Sequence, residues 1–306
     1  MSRLQVLLIA GTHGNEINAP WLFEQWKQSP GLINTHDLSV SKVLGNPQAF
    51  KACKRYIDCD LNRSFRKDLL NNRTLKDYEV LRANYLLKKH GPNGFNPCQI
   101  AIDLHSTTSS MGSSLVVYGR RFPDLAIASL LQGRLGLPVY LHESDSKEKG
   151  FLVESWPSGL VVEIGPVPQS ILHPDIINQS QLVLEILFQE LGKLHTGKAC
   201  FPEELIVHRH LGSIDFPRNI NSQIEAVIHP LRQGADWIPI RNGDPLFLEP
   251  DGNVLSYEGD EVVVPVFINE AAYLEKNIAM SFTKREIWKF SNNWEQSINE
   301  LFHNKL

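Results

Sequence analysis

The sequence predicts an α/β fold over its first two-thirds and a smaller all-β domain after it. Short apolar runs alternate with segments of helical period up to about residue 194, which is the pattern of strand–helix units. Gly197 and Pro202 then interrupt the chain, and short β-type runs follow them. We therefore predict two domains, residues 1–198 and residues 199–306.

The predicted elements of the first domain alternate in chain order. They are strand 4–10, helix 16–28, strand 37–44, helix 76–89, strands 100–104 and 115–118, helix 124–135, strands 139–141 and 160–164, and helix 174–194. Apolar residues at helical spacing, or a Pro or Gly near one end, support the helices. In the second domain the predicted strands include 205–208, 226–228 and 262–267.

A candidate metal site begins where the first strand ends. His13 and Glu16 follow this strand and Gly11, at a spacing of three residues. In a first helical turn that spacing places both side chains on one face, at the sheet edge where open α/β folds bind ligands. Alone, the pair is more typical of an ordinary turn that begins a helix, so the metal interpretation needs a third ligand.

His105 supplies that ligand, because it ends a second apolar strand and a polar loop follows it. Two histidines and one glutamate with an open position form the ligand set of a catalytic zinc. Asp103 lies two residues earlier on the same strand face and is a candidate acceptor for the ring of His105. We predict one zinc ion per chain, bound by His13, Glu16 and His105.

Composition excludes several other classes of protein. The net charge of −4 provides no basic surface for nucleic acid or lipid. No apolar run approaches about 18 residues, and the N-terminus lacks a signal-peptide pattern. The four cysteines fit neither CxxC spacing nor a disulfide framework. We predict a cytoplasmic protein that binds neither nucleic acid nor membranes.

Five motifs in one order resemble a known family. They are GTHGNE (11–16), DCDLNRSF (58–65), DLHSTTSSMG (103–112), VEIGPVPQ (162–169) and NEAAYLEK (269–276). This order resembles the aspartoacylase and succinylglutamate desuccinylase family, whose members are relatives of the zinc carboxypeptidases. The resemblance runs from about residue 4 to residue 278. It implies a zinc-carboxypeptidase-like mixed sheet with flanking helices, and a homo-oligomer, namely a dimer.

Glu163 is the candidate general base. It stands at the end of an apolar strand, where an unpaired carboxylate is costly unless it has a function. A structural carboxylate in a buried ion pair is the alternative. The resemblance implies that Glu163 contacts the substrate, takes a proton from the attacking water and returns it to the leaving amine.

The resemblance also implies a set of substrate-binding residues. Asn62 and Arg63 would hold a substrate carboxylate, since a guanidinium offers a fork of donors that matches it. Arg55 would bind the scissile carbonyl and stabilise the oxyanion. Tyr273 would reach the substrate carboxylate from the C-terminal domain. Without the family these would be ordinary solvated or packing residues, and Asp60 is a weaker candidate for orienting the site.

The chain departs from its family before the VEIGP motif. Animal aspartoacylases carry an arginine there that binds the side-chain carboxylate of the substrate, with a tyrosine four residues earlier. Counting back from Glu163 places Val153 at the arginine and Lys149 at the tyrosine. Lys147 and Lys149 are the cations of this loop, and both interpretations stay open: solvated lysines, or a charge from Lys149 for an acidic side chain. A lysine discriminates less than a bidentate arginine.

Two further histidines, His208 and His210, would face the same side of a predicted strand. No third ligand stands near them in the sequence. We therefore predict surface histidines there rather than a second metal site.

The predicted function is zinc-dependent hydrolysis of the amide bond of an N-acyl amino acid. N-acetyl-L-aspartate, giving L-aspartate and acetate, is the first candidate. Succinylglutamate desuccinylase, or an aminoacylase for other N-acyl amino acids, is the alternative within this class. A catalytically silent zinc- or carboxylate-binding protein is the alternative from another class. Glu163 and Arg55 argue against it, because a binding protein needs neither.

Overall fold

The computed structural model describes residues 3–143 and 148–303, and a mixed β-sheet is its centre. The strands are β1 (Gln5–Ala10), β2 (Ser39–Leu44), β3 (Ile100–Ser106), β4 (Ser113–Tyr118), β5 (Val139–His142), β6 (Ser158–Ile164), β7 (Glu204–Ile214), β8 (Val227–Ile228), β9 (Pro245–Leu248), β10 (Val254–Ser256), β11 (Val264–Val266) and β12 (Met280–Lys289). The α-helices are α1 (Asn18–Gln28), α2 (Pro47–Lys51), α3 (Lys67–Leu70), α4 (Tyr78–His90), α5 (Phe122–Leu135), α6 (Pro174–His195) and α7 (Asn292–His303). Short 3₁₀ helices include Leu61–Arg63, Leu152–Ser155 and Ala271–Lys276.

Nine of the described strands form one sheet, in the order β11-β12-β7-β5-β4-β6-β3-β1-β2. Strands β2, β1, β3 and β6 are parallel neighbours, whereas β4 is antiparallel to β6. The carboxyl ends of β1, β3 and β6 therefore lie at the same edge. The register pairs Ala10 with Leu104 and His105 with Glu163, so the polar residues at or just beyond these strand ends are neighbours.

The two faces of the sheet pack against different partners. Alternate strand residues such as Leu8 and Ile102 join an apolar cluster with helices α1, α5, α6 and α7. The other alternate set, including Ile9, packs with Leu86 of α4 and with Leu61. This period-two alternation is what a buried sheet requires, and it places the loops near Leu61 on the second face. The predicted α/β class, with its mixed sheet, flanking helices and C-terminal β region, is confirmed.

The C-terminal region continues the same sheet. Strand β7 pairs in parallel with β5, and β12 and β11 follow β7 as antiparallel neighbours. Strands β8, β9 and β10 form a separate small sheet with its own apolar cluster, which includes Ile240 and Phe247. Helix α7 returns to the first core through Ile298. The predicted division at residue 198/199 stays a prediction. Of the helices described, none is long and apolar enough to cross a membrane.

The first helix begins later than predicted. Helix α1 starts at Asn18, and residues 13–16 form a turn in which the Glu16 N–H donates to the His13 carbonyl at 3.1 Å. Gly11, with φ +67°, redirects the chain at the end of β1. The expectation that His13 and Glu16 share the first turn of a helix was wrong, because a non-helical turn brings them together instead.

His208 and His210 are not surface residues, so that prediction was also wrong. They are 8% and 9% exposed, because β7 lies inside the sheet between β5 and β12. The ring of His208 packs edge-on against Trp237, with 4.9 Å between ring centroids.

Burial makes His208 a source of acid sensitivity. Burial, with a smaller effect of Arg285, lowers the pKa of His208 to about 4. The unfolded chain protonates near pH 6.5, so it binds the extra proton first as the pH falls. We expect this residue to cost about 2 kcal/mol of unfolding free energy between pH 7.5 and pH 5. Urea unfolding at both pH values should show a smaller decrease in unfolding free energy for His208→Gln than for the unchanged chain. Equal decreases would contradict this role of His208.

Candidate active site

Three buried side chains converge at the carboxyl ends of β1 and β3. His13 and Glu16 come from the turn after β1, and His105 comes from β3. Their potential ligand atoms all lie within 4.8 Å of one another. His13 Nδ1 is 2.7 Å from Glu16 Oε1 and 3.1 Å from His105 Nδ1. The structure therefore brings the three predicted metal ligands together.

Each imidazole has a carboxylate on its far nitrogen. His13 Nε2 is 3.0 Å from Asp60 Oδ1, and His105 Nε2 is 2.8 Å from Asp103 Oδ2. Asp103 also accepts a hydrogen bond from the Thr12 hydroxyl at 2.7 Å. Carboxylates in this position fix the ring orientation and tautomer of metal-binding histidines. Asp103 lies where the sequence predicts it.

The donor set fits a metal cation. When each ring carries its proton on Nε2, both Nδ1 lone pairs face one another and the Glu16 carboxylate. Three buried electron-pair donors in contact repel unless a cation lies among them. Burial alone would raise the pKa of Glu16, but the positive charges of His13 and His105, when these rings are protonated instead, outweigh it and lower this pKa well below its usual value. Glu16 is thus available as an anionic ligand.

A buried carboxylate positions the loop that carries the other candidates. Glu79, from α4, is fully buried and accepts hydrogen bonds from the backbone N–H groups of Ile57, Asp58 and Cys59 at 2.7, 3.0 and 3.2 Å. It also accepts from the Asn46 side chain at 2.9 Å. Glu79 could not be predicted from the sequence, because nothing in its local pattern distinguishes it from a solvated helix residue.

The loop presents Arg55, Asn62 and Arg63 to one cavity. Arg55 Nη1 is 3.5 Å from Glu16 Oε1, and its Nη2 is 3.4 Å from Asp60 Oδ2. Asn62 Oδ1 accepts from a backbone N–H at 2.9 Å, which leaves its amide group as a potential donor. The Arg63 guanidinium stacks 4.1 Å from the centre of the Phe151 ring.

Glu163 lies beside the metal ligands, on the neighbouring strand. It is the residue of β6 that pairs with His105 of β3. Burial raises the pKa of Glu163 to about 8, although His105 and Arg55 act in the opposite direction; Glu16 and Glu270 add to the increase. A carboxyl with a raised pKa in a cleft has the property expected of a group that exchanges protons near neutral pH.

Tyr273 reaches the same cavity from the C-terminal region. It lies in the 3₁₀ helix Ala271–Lys276, and its ring is 5.3 Å from that of Phe267. The preceding Glu270 accepts hydrogen bonds from the backbone N–H groups of Thr108 and Ser109 at 2.8 and 3.1 Å. Glu270 therefore ties this segment to the loop that follows His105.

All the predicted metal-binding, catalytic and substrate-binding residues except Lys149 line a single cavity of about 400 Å³; they are His13, Glu16, Arg55, Asn62, Arg63, His105, Glu163 and Tyr273. A second cavity of about 500 Å³ shares Arg63, Glu163 and Tyr273 with it. The further walls of the second cavity are partly aromatic and include Tyr140 and Phe151. The two cavities therefore adjoin one another at these shared side chains.

Lys149 does not belong to this site, so its assignment is corrected. Its side chain is exposed and borders a different surface cleft, beside Arg66 and Lys67. The neighbouring Glu148 turns inward to the second cavity, where it contacts Arg63 and Lys276. Lys147 and Asp145, from the same loop, lie outside the described residues.

Sequence analysis missed Glu148 and Lys276 as residues of the cavity. For Lys276 a signal existed, because it stands three residues after Tyr273 in the same motif. For Glu148 there was none, since one acidic residue in a charged loop has no characteristic spacing.

Comparisons with known proteins agree with this geometry. The family model described as "Succinylglutamate desuccinylase/Aspartoacylase catalytic domain" matches residues 2–191. A second, the "AstE/AspA barrel-sandwich hybrid domain", matches residues 203–285. A "Probable aspartoacylase" of Prochlorococcus marinus is 59% identical over 306 residues, covering 99% of this chain and 100% of the relative. Another, of Parasynechococcus marenigrum, is 49% identical and covers 98% and 99%.

Solved structures extend the likeness. Murine aminoacylase 3 has a TM-score of 0.86 and 34% identity, with 94% of this chain and 97% of that chain covered. A succinylglutamate desuccinylase from Vibrio parahaemolyticus shares the fold, with a TM-score of 0.57 at 16% identity and coverage of 94% and 86%.

Fold and relatives together define the class as an amidohydrolase with a zinc-carboxypeptidase-like fold. Within that class, the chain belongs to the succinylglutamate desuccinylase/aspartoacylase family.

Proposed function

We propose that this chain is a zinc-dependent enzyme that hydrolyses the amide bond of an N-acyl amino acid, with N-acetyl-L-aspartate as the first candidate substrate. The observation that carries the proposal is the convergence of the His13–Glu16–His105 cluster with Glu163 and Arg55 in one cavity. The relatives named probable aspartoacylase and aminoacylase 3 support the same class of substrate.

Zinc would be held by Nδ1 of His13, Nδ1 of His105 and the carboxylate of Glu16. When bound, zinc supplies a Lewis acid that polarises a carbonyl and makes water more acidic. Asp60 and Asp103 keep the two rings oriented through their Nε2 atoms.

Glu163 is proposed as the group that moves the proton. Its carboxylate accepts a proton from the attacking water, and the resulting carboxylic acid delivers that proton to the nitrogen of the leaving amine. The raised pKa of about 8 favours the second of these steps, because the protonated form persists near neutral pH.

Arg55 is proposed to stabilise the negative charge that develops on the carbonyl oxygen. Its Nε is buried and has no hydrogen-bond partner among the described residues, although both Nη atoms lie near carboxylates. A buried donor without a partner is costly, and a substrate oxygen would satisfy it. Asn62, Arg63 and Tyr273, which line the same cavity, are proposed to hold the substrate's carboxylate.

One observation favours an aminoacylase with broader specificity as the second candidate. The walls of the second cavity include the rings of Tyr118, Phe151 and Phe267, and these rings suit uncharged side chains. A catalytically silent binding protein fits less well, since it would need neither Glu163 nor a free donor on Arg55. The substrate's identity must therefore be measured.

The decisive test is a hydrolysis panel on the purified, zinc-loaded protein. It compares N-acetyl-L-aspartate, N-acetyl-L-glutamate, N-succinyl-L-glutamate and N-acetyl aromatic amino acids, with release of the free amino acid as readout. We expect N-acetyl-L-aspartate to be hydrolysed, and activity to disappear with a chelator and return with zinc. Full zinc occupancy without hydrolysis of any compound would instead support the silent binding protein. A dimeric state and a cytoplasmic location stay predictions.

A further inference from the structure

A carboxylate of the chain itself pairs with two cations beside the proposed substrate site. Glu148 Oε2 accepts a hydrogen bond from Arg63 Nε at 2.5 Å. Lys276 Nζ lies 3.2 and 3.3 Å from the two oxygens of the same carboxylate. Glu148 thus forms an ion pair with the guanidinium that is proposed to hold the substrate.

These three side chains belong to the inner part of the site. All three line the second cavity, which shares Arg63, Glu163 and Tyr273 with the cavity that contains the proposed metal ligands. Their side chains are only 23%, 23% and 19% exposed for Glu148, Arg63 and Lys276, so water screens their charges incompletely. Although burial would raise it, Arg63 and Lys276 lower the pKa of Glu148, which keeps the carboxylate ionised.

The charges that line the second cavity determine how many substrate carboxylates it can bind. Arg63 and Lys276 provide two positive charges, and Glu148 neutralises one of them. The other carboxyl in the cavity wall, Glu163, has its charge interactions with the metal-ligand side, chiefly His105 and Glu16. The remaining charge matches the α-carboxylate that every N-acyl amino acid carries. A second carboxylate, as in aspartate, would find its cation already paired.

We propose that Glu148 is a specificity-determining residue, which reduces the preference of the site for N-acyl amino acids with an acidic side chain over those with a neutral one. The inference rests on the proposed function, because it concerns the substrate of that same site. It also accounts for a site that has two cations next to aromatic walls. One positive charge binds the α-carboxylate of the substrate, and the aromatic walls contact its side chain.

The test compares two substrates that differ chiefly in charge, N-acetyl-L-aspartate and N-acetyl-L-asparagine. The measured quantity is the ratio of their kcat/KM values in the zinc-loaded enzyme. Glu148→Gln keeps the size of the side chain and releases the second cation. We expect it to raise the aspartate-to-asparagine ratio about tenfold, the scale of one charge-assisted hydrogen bond.

Two other variants serve as comparisons for that result. Lys276→Met should lower the ratio, because it removes the cation that Glu148→Gln would release. Glu275→Gln is the control: it removes an equal negative charge at the position before Lys276, where the side chain is exposed and does not line the cavity. It should leave the aspartate-to-asparagine ratio unchanged. If Glu148 merely holds Arg63 in place, Glu148→Gln will weaken both substrates equally. An unchanged or lowered ratio overturns the proposal.

A binding measurement separates this inference from the proposed function. Calorimetric titration of both compounds into zinc-loaded protein carrying Glu163→Gln, with and without Glu148→Gln, needs no turnover. A rise of about tenfold in the ratio of affinities supports the role of Glu148, even if the hydrolysis panel fails. An unchanged ratio, or no binding of either compound, overturns it even if the panel succeeds.

Discussion

Glu163→Gln should reduce kcat by about 10²–10⁴, which is the usual contribution of a positioned general acid–base group. The amide keeps the shape of the side chain but cannot take up or deliver the proton. Because the pKa of the half-buried Glu163 is raised to about 8, the neutral amide resembles the protonated form already favoured near pH 7. The fold should therefore survive, and zinc should stay bound, because its three proposed ligands are unchanged.

Three measurements on the same preparation check this expectation: kcat on the best substrate of the panel, zinc content by elemental analysis, and the thermal midpoint of unfolding. Glu24→Gln, an exposed position on α1, is the matched control and should behave as the unchanged enzyme. Near-normal turnover in Glu163→Gln would leave Glu163 a structural carboxylate. Loss of zinc together with activity would mean that the variant tests the metal site instead.

The convergence of the proposed metal ligands could be predicted because a parallel sheet places the ends of its strands at one edge. His13, His105 and Glu163 each stand at or just beyond the end of an apolar run, and β1, β3 and β6 prove to be neighbours. Only the local conformation was wrong. A turn after Gly11, rather than a helix, brings Glu16 back to His13, and the spacing of three residues suits both.

The buried face of a helix was harder to predict than the helix itself. The segment 76–89 was identified from Leu81, Tyr85 and other apolar residues, yet Leu81 and Tyr85 are 51% and 48% exposed. The face turned inward carries Val80, Ala83, Leu86 and the carboxylate of Glu79. Burial of Glu79 is tolerated because four hydrogen-bond donors surround it, and these come from distant parts of the chain.

Contacts between residues that are far apart in the chain could not be predicted from local sequence patterns. His208 and His210 are buried because β7 lies between β5 and β12, a neighbourhood that no local pattern specifies. Glu148 and Lys149 are adjacent in an irregular loop, where no period dictates which side chain faces the protein. The partners decide: Arg63 and Lys276 hold Glu148 inside, and Lys149 is left at the surface.

Removal of either histidine of the cluster should abolish zinc binding. In His13→Ala or His105→Ala two protein ligands remain, and a catalytic zinc site normally uses three. We expect zinc content to fall from one ion per chain to a small fraction of that, and activity to fall with it. Asp103→Asn keeps all three ligands but weakens the acceptor on His105 Nε2, so zinc affinity should fall by about 10–100-fold.

Zinc affinity, measured by competition with a chromogenic chelator, ranks these variants independently of activity. His36→Asn is the control: His36 is exposed, lies outside the cluster and has φ +47°, a conformation that asparagine tolerates. The expected order is unchanged affinity for His36→Asn, an intermediate loss for Asp103→Asn and the largest loss for His13→Ala and His105→Ala. Full zinc occupancy in both alanine variants would remove this cluster as the metal site. If Asp103→Asn binds zinc as tightly as the unchanged chain does, the turn after β1 and the end of β3 alone fix the ligand geometry.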